Sequence, residues 1–99
     1  MGGVGVEDTD PADWLRVTDI NLHSVFYVCR AAIPALRQRG GGCIVNVASN
    51  IVNSLPGGSA AYATTKAGVV ALTKVLSKEV AHEGIRVNAL SPGLIAAGM

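Results

Sequence analysis

Charge is scarce in this sequence. Of its 99 residues, 15% are Asp, Glu, Lys or Arg, against about 25% in an average globular protein. Eight basic and seven acidic residues nearly cancel and leave a net charge of +1. This balance fits neither a charge-rich disordered chain nor a basic nucleic-acid-binding surface. With 49% hydrophobic residues, the chain can form the core of one small domain, but a chain this short has difficulty burying so many apolar residues by itself.

A long apolar run is also missing. Residues 40–65 carry no charge, but Asn, Ser and Pro residues interrupt them, and a membrane-spanning helix needs about 20 consecutive apolar residues. The N-terminal sequence MGGVGVED has neither the basic nor the apolar segment of a secretory signal. We therefore predict a cytoplasmic protein with no membrane and no nucleic-acid partner.

Cysteine is limited to Cys29 and Cys43. Neither belongs to a metal-ligand pattern, and two cysteines make no disulfide framework. We predict that both are buried, unreactive thiols in a reducing compartment, and that the chain has no metal site.

A long first helix is predicted over residues 11–39. Thr9 or Asp10 can cap it, and Pro11 suits its first position. Pro34 lies inside the pattern and predicts a bend just before it. The spacing indicates one broad buried stripe, made of Trp14, Leu15, Val17, Ile20, Leu22, Val25, Phe26, Val28 and Cys29.

A strand, a helix and a second strand follow. Residues 43–48 are rich in β-branched side chains and predict a strand buried on both faces. Residues 50–59 predict a loop, and a second helix covers residues 60–83 and ends at Gly84. With a second strand over residues 85–90, the order is that of a βαβ unit with a right-handed crossover.

Two polar groups fall where such a unit binds ligands. Ser49 follows the first strand, at the carboxyl edge of the predicted sheet. Tyr62 and Lys66 are four residues apart on one helix face, with side chains about 6 Å from each other. A nearby ammonium lowers a tyrosine pKa from its usual value of about 10, so that the phenol can exchange a proton nearer neutral pH. By itself this pair also occurs by chance, as a packed aromatic and a solvated lysine.

Four segments carry a family resemblance when they occur in this order: Asp19–Leu22 (DINL), Asn46–Ser49 (NVAS), Tyr62–Lys66 (YATTK) and Ile85–Gly93 (IRVNALSPG). Together they closely resemble the short-chain dehydrogenase/reductase family, which pairs a serine with a tyrosine thirteen residues later, as at positions 49 and 62. The resemblance covers essentially the whole chain. It implies a partial Rossmann-type doubly wound parallel sheet of the α/β class, and an NAD(P)-dependent oxidoreductase that interconverts a small-molecule alcohol and a carbonyl.

The resemblance also implies catalytic roles. Tyr62 is similar to the family's general acid/base, and Lys66 to the residue that lowers the tyrosine pKa and holds the nicotinamide ribose. Ser49 resembles the group that polarises the substrate carbonyl. Asn21 stands where the family has a helix asparagine that holds a water in a proton relay to the lysine.

The cofactor contacts implied by the resemblance continue near the C-terminus. Pro92, Gly93 and Ile95 match the family's loop against the nicotinamide of NAD or NADP. Ala97 stands where the family often has a threonine that binds the nicotinamide amide, so that contact is in doubt.

The family's phosphate-binding glycine turn is absent from these 99 residues. Gly3-Val4-Gly5 begins such a pattern, but Asp8 replaces the third glycine and no strand precedes it. Gly40–Gly42 follows a helix, which is the reverse of what phosphate binding needs. We therefore expect residues 1–99 to be the C-terminal, catalytic part of one NAD(P)-binding domain, truncated at both ends. The isolated chain is expected to be inactive. The preference for NAD or NADP is not readable, because the family's selector residue is not among these residues.

Two other functions stay open. The chain could be a non-catalytic α/β piece that associates only through its helices over residues 11–39 and 60–83. Those helices resemble the family's main dimer interface, and a small-residue patch at Ala67, Gly68 and Ala71 would let another helix approach closely, so a homo-oligomer is expected. A sugar epimerase or dehydratase with the same tyrosine–lysine spacing is a lesser alternative, which the Ser-Pro-Gly ending and Asn21 disfavour.

Overall fold

The first helical segment, predicted as one helix over residues 11–39, consists of two α-helices, and the two predicted strands form one small sheet. A computed structural model describes residues 3–91 of the chain. The α-helices are α1 Pro11–Thr18, α2 Ser24–Gln38, α3 Ile51–Ser54 and α4 Ala60–Val80. The strands are β1 Gly42–Val47 and β2 Ile85–Leu90. Single 3₁₀ turns lie at Val6–Asp8 and Ala81–Glu83.

The predicted start of the first helix is confirmed. Asp10 is the N-cap residue of α1, and its Oδ1 accepts a hydrogen bond from the Ala12 amide at 2.9 Å. Pro11 occupies the first helical position, where its missing N–H costs nothing. The three glycines after Arg39 end the segment, and Gly40 adopts a φ of 95°, which a residue with a Cβ seldom takes.

The single helix predicted over residues 11–39 is interrupted between α1 and α2. Residues Asp19–His23 between α1 and α2 form a π-helical turn, a wider turn that is rare in proteins and frequent at functional sites. Pro34 lies inside α2, and the helix continues past it to Gln38. The sequence shows no local sign of the π turn, because DINLH contains neither Pro nor Gly.

The two strands are parallel and in a register that runs from Gly42 opposite Ile85 to Val47 opposite Leu90. The ladder extends one step further through the Ala48 amide, which donates to the Leu90 carbonyl at 2.7 Å. Gly84 ends the helical segment before β2 in the left-handed conformation, with φ 73°, as predicted. The strand–helix–strand order therefore brings the ends of both strands to one edge of the sheet.

Only one face of this sheet is covered. The core lies between α2, α4 and that face, and it consists of Cys29, Leu76, Val80, Ile85 and Val87, with Val25, Ile33, Leu36 and Ile44 packed against them. On the other face Val45 is 57% and Val47 is 51% exposed. The prediction of a strand buried on both faces is therefore wrong for the described residues. Cys29 is buried as predicted, but Cys43 is exposed because it lies on the uncovered face.

The buried stripe of the first helical segment is narrower than its apolar pattern predicts. Cys29 is its only buried member in residues 3–91, and Val17, Leu22 and Val25 are half-buried. Phe26 is 48% and Tyr27 65% exposed, and their rings meet edge to face with centroids 5.4 Å apart. These aromatic side chains belong to the surface rather than to the core.

The loop predicted over residues 50–59 contains a turn of helix that the sequence did not predict. Helix α3 occupies Ile51–Ser54 and ends at Leu55, which takes the left-handed conformation at φ 45°. The predicted turn at Pro56–Gly58 is present, with Gly58 at φ 80°. Across residues 3–91, no helix combines the length and the apolar content that crossing a membrane requires.

Candidate active site

Tyr62 and Lys66 lie in the first two turns of α4 and face the carboxyl edge of the sheet. The Lys66 Nζ is 5.7 Å from the centroid of the Tyr62 ring, within the range of a cation–π contact. The same Nζ donates a hydrogen bond to the Val47 carbonyl, the last residue of β1, at 3.3 Å. Lys66 is thus held between the strand end and the tyrosine, while Tyr62 stays 41% exposed and open to a ligand.

Ser49 lies two residues beyond β1. Its Oγ accepts a hydrogen bond from the Ile51 amide at 3.2 Å, in the turn that starts α3. A hydroxyl has one donor and two acceptor positions, so this contact orients the Ser49 oxygen and leaves its proton free to donate. Within residues 3–91, no hydrogen bond joins the Ser49 and Tyr62 side chains.

Asn21 is in the middle of the π turn and is half-buried. Its side-chain amide donates to the Val17 carbonyl of the preceding turn at 3.1 Å. Asn21 and Lys66 both line a cavity of about 310 Å³ beside β1, together with Val45 and Val47. A cavity of this size with polar groups in its lining has room for ordered water.

Two residues near Tyr62 and Lys66 have structural roles in α4. They are Thr65, which precedes Lys66, and Gly68, which follows it by two positions. Thr65 is 1% exposed, and its hydroxyl donates to the Tyr62 carbonyl at 2.8 Å. A Cβ added at Gly68 would lie 3.1 Å from both methyl groups of Leu22 in the π turn. Gly68 is therefore covered by Leu22 of the same chain, whereas Ala67 and Ala71 of the small-residue patch are exposed.

The Val47 carbonyl is a contact of the candidate site that the sequence does not predict. A backbone oxygen carries no signature in the sequence, and only the position of the strand end relative to α4 brings it to Lys66. Pro92, Gly93, Ile95 and Ala97 lie outside the described residues.

Other concave features lie around this site. Tyr62 also lines a cavity of about 400 Å³ between the loop of residues 3–10 and the start of α4. A cavity of about 470 Å³ on the far part of α4, near Lys74 and Lys78, contains none of the predicted site residues, so its size does not make it the active site. Within the described range, no three His, Cys, Asp or Glu side chains come together as a metal site would require.

Comparison with known sequences finds curated relatives that are oxidoreductases. The chain is 44% identical over 87 residues to a 3-oxoacyl-(acyl-carrier-protein) reductase of Chlamydia pneumoniae, covering 88% of this chain and 35% of that protein. It is 46% identical over 90 residues to an acetoacetyl-CoA reductase of Cupriavidus necator, covering 89% and 36%. The chain thus spans about a third of the length of these curated relatives.

Solved structures have the same fold as this chain, and the chain again spans only about a third of their length. An NAD⁺-bound xylitol dehydrogenase superposes with a TM-score of 0.86 at 36% identity, over 92% of this chain and 35% of the other. A short-chain dehydrogenase from Mycobacterium smegmatis gives a TM-score of 0.86 at 39% identity, over 92% and 38%. Both support the predicted partial Rossmann-type α/β fold. The family model for short chain dehydrogenase matches residues 1–99, and the chain belongs to the short-chain dehydrogenase/reductase family.

Proposed function

We propose that residues 1–99 form the catalytic part of an NAD(P)-dependent oxidoreductase that interconverts a small-molecule alcohol and a carbonyl. The observation that carries this proposal is the placement of Lys66, which contacts both the Val47 carbonyl and the Tyr62 ring at the carboxyl edge of the sheet. Ligands of open α/β sheets bind at this edge. The names of the relatives, among them a cyclopentanol dehydrogenase and a galactitol 2-dehydrogenase, support the same class of substrate.

Tyr62 is the proton donor and acceptor in this proposal. During reduction its phenol gives a proton to the substrate oxygen as the carbonyl carbon gains a hydride, and during oxidation it takes the proton back. The Lys66 ammonium, 5.7 Å from the ring centroid, stabilises the phenolate that remains after proton transfer, because opposite charges attract.

Ser49 and Asn21 assist the transfer from two sides. The Ile51 amide fixes the Ser49 oxygen, and the remaining O–H can donate to the substrate carbonyl and polarise it. Asn21 and Lys66 line the same cavity of about 310 Å³, which has room for a chain of waters that returns protons to the lysine.

The chain's residues suit only the nicotinamide half of the cofactor. A bound NAD(P)H supplies the hydride. An ammonium has three N–H donors, and Lys66 uses one on Val47, so the others can bind the ribose hydroxyls. Within residues 3–91, no glycine turn joins a strand directly to the helix that follows it, as a diphosphate site would require.

A chimeric enzyme tests the proposal. The segment of the Cupriavidus acetoacetyl-CoA reductase that aligns with this chain is replaced by this chain's residues, and reduction of acetoacetyl-CoA is followed with NADH and NADPH. We expect turnover, and Tyr62→Phe should lower kcat by about 100-fold or more, because it removes the general acid.

Tyr27→Phe is the matched control, since Tyr27 is exposed on α2 and lines neither of the two cavities at the site. It should leave kcat unchanged. A chimera that folds and binds nucleotide but has no activity would contradict the proposal, as would a Tyr62→Phe chimera with full activity.

Self-association through the helices is a second candidate function. The exposed pair Phe26 and Tyr27, with Val28 66% exposed beside them, forms an apolar surface on α2 that a second copy could bury. We expect Phe26→Glu to shift the chain toward monomer in sedimentation velocity. Val6→Glu, at an exposed position outside the helices, should not. Equal behaviour of the two variants would rule out this surface.

A further inference from the structure

Three buried polar side chains join three elements directly beneath the site. Cys29 of α2, Asn46 of β1 and Thr73 of α4 are only 3%, 8% and 4% exposed. The Asn46 amide nitrogen donates to the Thr73 hydroxyl at 2.9 Å, and that hydroxyl donates to the Val69 carbonyl at 2.7 Å. The Cys29 thiol approaches the Asn46 amide oxygen at 3.6 Å. The side chain of Asn46 thus has partners at both its amide nitrogen and its amide oxygen.

Burying these polar groups lowers the stability of the fold unless each group keeps its hydrogen-bond partner. A buried amide or hydroxyl without a partner loses its hydrogen bonds to water with no replacement. An apolar residue at position 46 or 73 would pack in the core without that risk. The hydrogen bond between Asn46 and Thr73 therefore favours one packing position of β1 on α4 over slightly shifted positions. An apolar contact discriminates much less between such positions.

The position of this bond relates it to Lys66. Asn46 immediately precedes Val47, whose carbonyl accepts the Lys66 hydrogen bond. Thr73 follows Lys66 by seven residues, which is two turns of helix or about 10 Å along the same face of α4. The same strand and the same helix are thus joined twice, once in the core by Asn46 and Thr73 and once at the sheet edge by Val47 and Lys66.

We propose that Asn46 and Thr73 are positioning residues that hold the Val47 carbonyl within reach of Lys66 and thereby keep the ammonium beside Tyr62. A catalytic effect of this positioning rests on the function proposed above. The position of the Lys66 amine itself is measurable without turnover. Failure of one proposal is therefore distinguishable from failure of the other.

Lysine acetylation in the full chain, followed residue by residue with mass spectrometry, tests the proposal. Lys74 and Lys78 are exposed on the same helix and serve as internal references. In the wild-type chain Lys66 should react more slowly than either. Thr73→Val keeps the side-chain shape and removes the hydroxyl, so the rate at Lys66 relative to Lys74 should rise about five-fold, the factor that corresponds to one ordinary hydrogen bond.

Conservative and control variants separate positioning from stability. Thr73→Ser keeps the hydroxyl and should restore the wild-type ratio. Cys29→Ala disturbs the same core but keeps the Asn46–Thr73 bond, so it should lower the melting temperature and leave the Lys66 ratio unchanged. Thr64→Val, at an exposed position of α4, should change neither.

An unchanged Lys66 ratio in folded Thr73→Val would overturn the proposal and leave the cluster a purely stabilising role. So would a rise in Cys29→Ala equal to that in Thr73→Val. If Thr73→Val does not fold, Thr73→Cys replaces the hydroxyl by a weaker hydrogen-bonding thiol of similar size. It should give an intermediate ratio, and a wild-type ratio there would equally contradict the assignment.

Discussion

Gly57 and Gly58 stand side by side in the turn after α3, but the backbone requires glycine at only one of them. Gly58 has a φ of 80°, and a Cβ there would lie 2.7 Å from the Gly3 carbonyl oxygen. At Gly57 an added Cβ meets no atom within 4 Å. The two positions therefore form a matched pair for testing how closely the loop of residues 3–10 approaches this turn.

We expect Gly58→Ala to destabilise the chain by about 1–3 kcal/mol, because it adds left-handed strain and a backbone clash. Gly57→Ala should be neutral or slightly stabilising, since alanine restricts the unfolded chain. Chemical denaturation of both variants measures the difference. Equal stabilities would show that residues 3 and 58 do not pack as the structure has them.

Single residues of the site were predictable to different degrees. The four-residue spacing of Tyr62 and Lys66 fixes their common helix face, and the structure confirms their proximity. The position of Ser49 after a strand could also be predicted from the sequence. The Ile51 amide that orients Ser49 was not, because α3 lies where the sequence predicts a loop.

At the scale of elements, an ion pair joins the end of α2 to the 3₁₀ turn after α4. Arg37 donates two hydrogen bonds to Glu83, one of them from Nη2 to Oε1 at 3.1 Å. The residues are 46 positions apart, so the pair connects elements that only the fold brings together. The Arg37 hydrogen bond holds the pKa of the Glu83 carboxyl below its ordinary value.

This lowered pKa gives the pair a pH dependence with a definite sign. A carboxyl whose pKa is lower in the folded than in the unfolded chain stabilises the fold above its unfolded pKa. The contribution is lost as the pH falls through the folded pKa. The pair should therefore stabilise the chain near neutral pH and cease to do so in acid.

We expect Glu83→Gln to lower the melting temperature by a few degrees at neutral pH, a modest effect because water screens an ion pair at the surface. The gap between the wild type and the variant should close as the pH falls below the ordinary range of a glutamate. Glu79→Gln, on an exposed position of α4, is the control and should show no such convergence. A gap that stays constant with pH would contradict the assignment.

The elements themselves were largely predictable, with exceptions at α3 and at the π turn. A capping residue marked the start of α1, and Gly84 marked the end of the helical segment before β2. The structure confirms both positions. The π turn at Asp19–His23 was not foreseen. Its side chains form contacts that a local pattern does not encode, such as Leu22 against Gly68 of α4.

At the scale of the whole molecule, the uncovered face of the sheet carries an apolar patch beside the exposed residues Arg86 and Asn88. Val45 and Val47 of β1 and Leu90 of β2 share it, and they are 57%, 51% and 38% exposed. Contiguous exposed apolar groups on a short sheet favour association with other surfaces. The purified chain should therefore self-associate as its concentration rises.

We expect Val45→Lys to reduce this self-association in light scattering, since a charge on the uncovered face opposes its burial. Val4→Lys alters a residue of similar exposure, 56%, that lies outside the sheet, and it should have little effect. If both lysine variants behave alike, association involves another surface, with the α2 aromatic pair the next to test.

The sequence by itself determined the local features and the family of this protein. Helix caps, glycine stops, strand-forming runs and the spacing of Tyr62 and Lys66 depend on neighbouring residues, and neighbouring residues are what a sequence states directly. The contacts made across elements needed the tertiary structure: Lys66 with the Val47 carbonyl, Asn46 with Thr73, and Arg37 with Glu83. Each joins positions 19 to 46 residues apart, and the packing of α2 and α4 on one face of the sheet is the physical cause that brings them together.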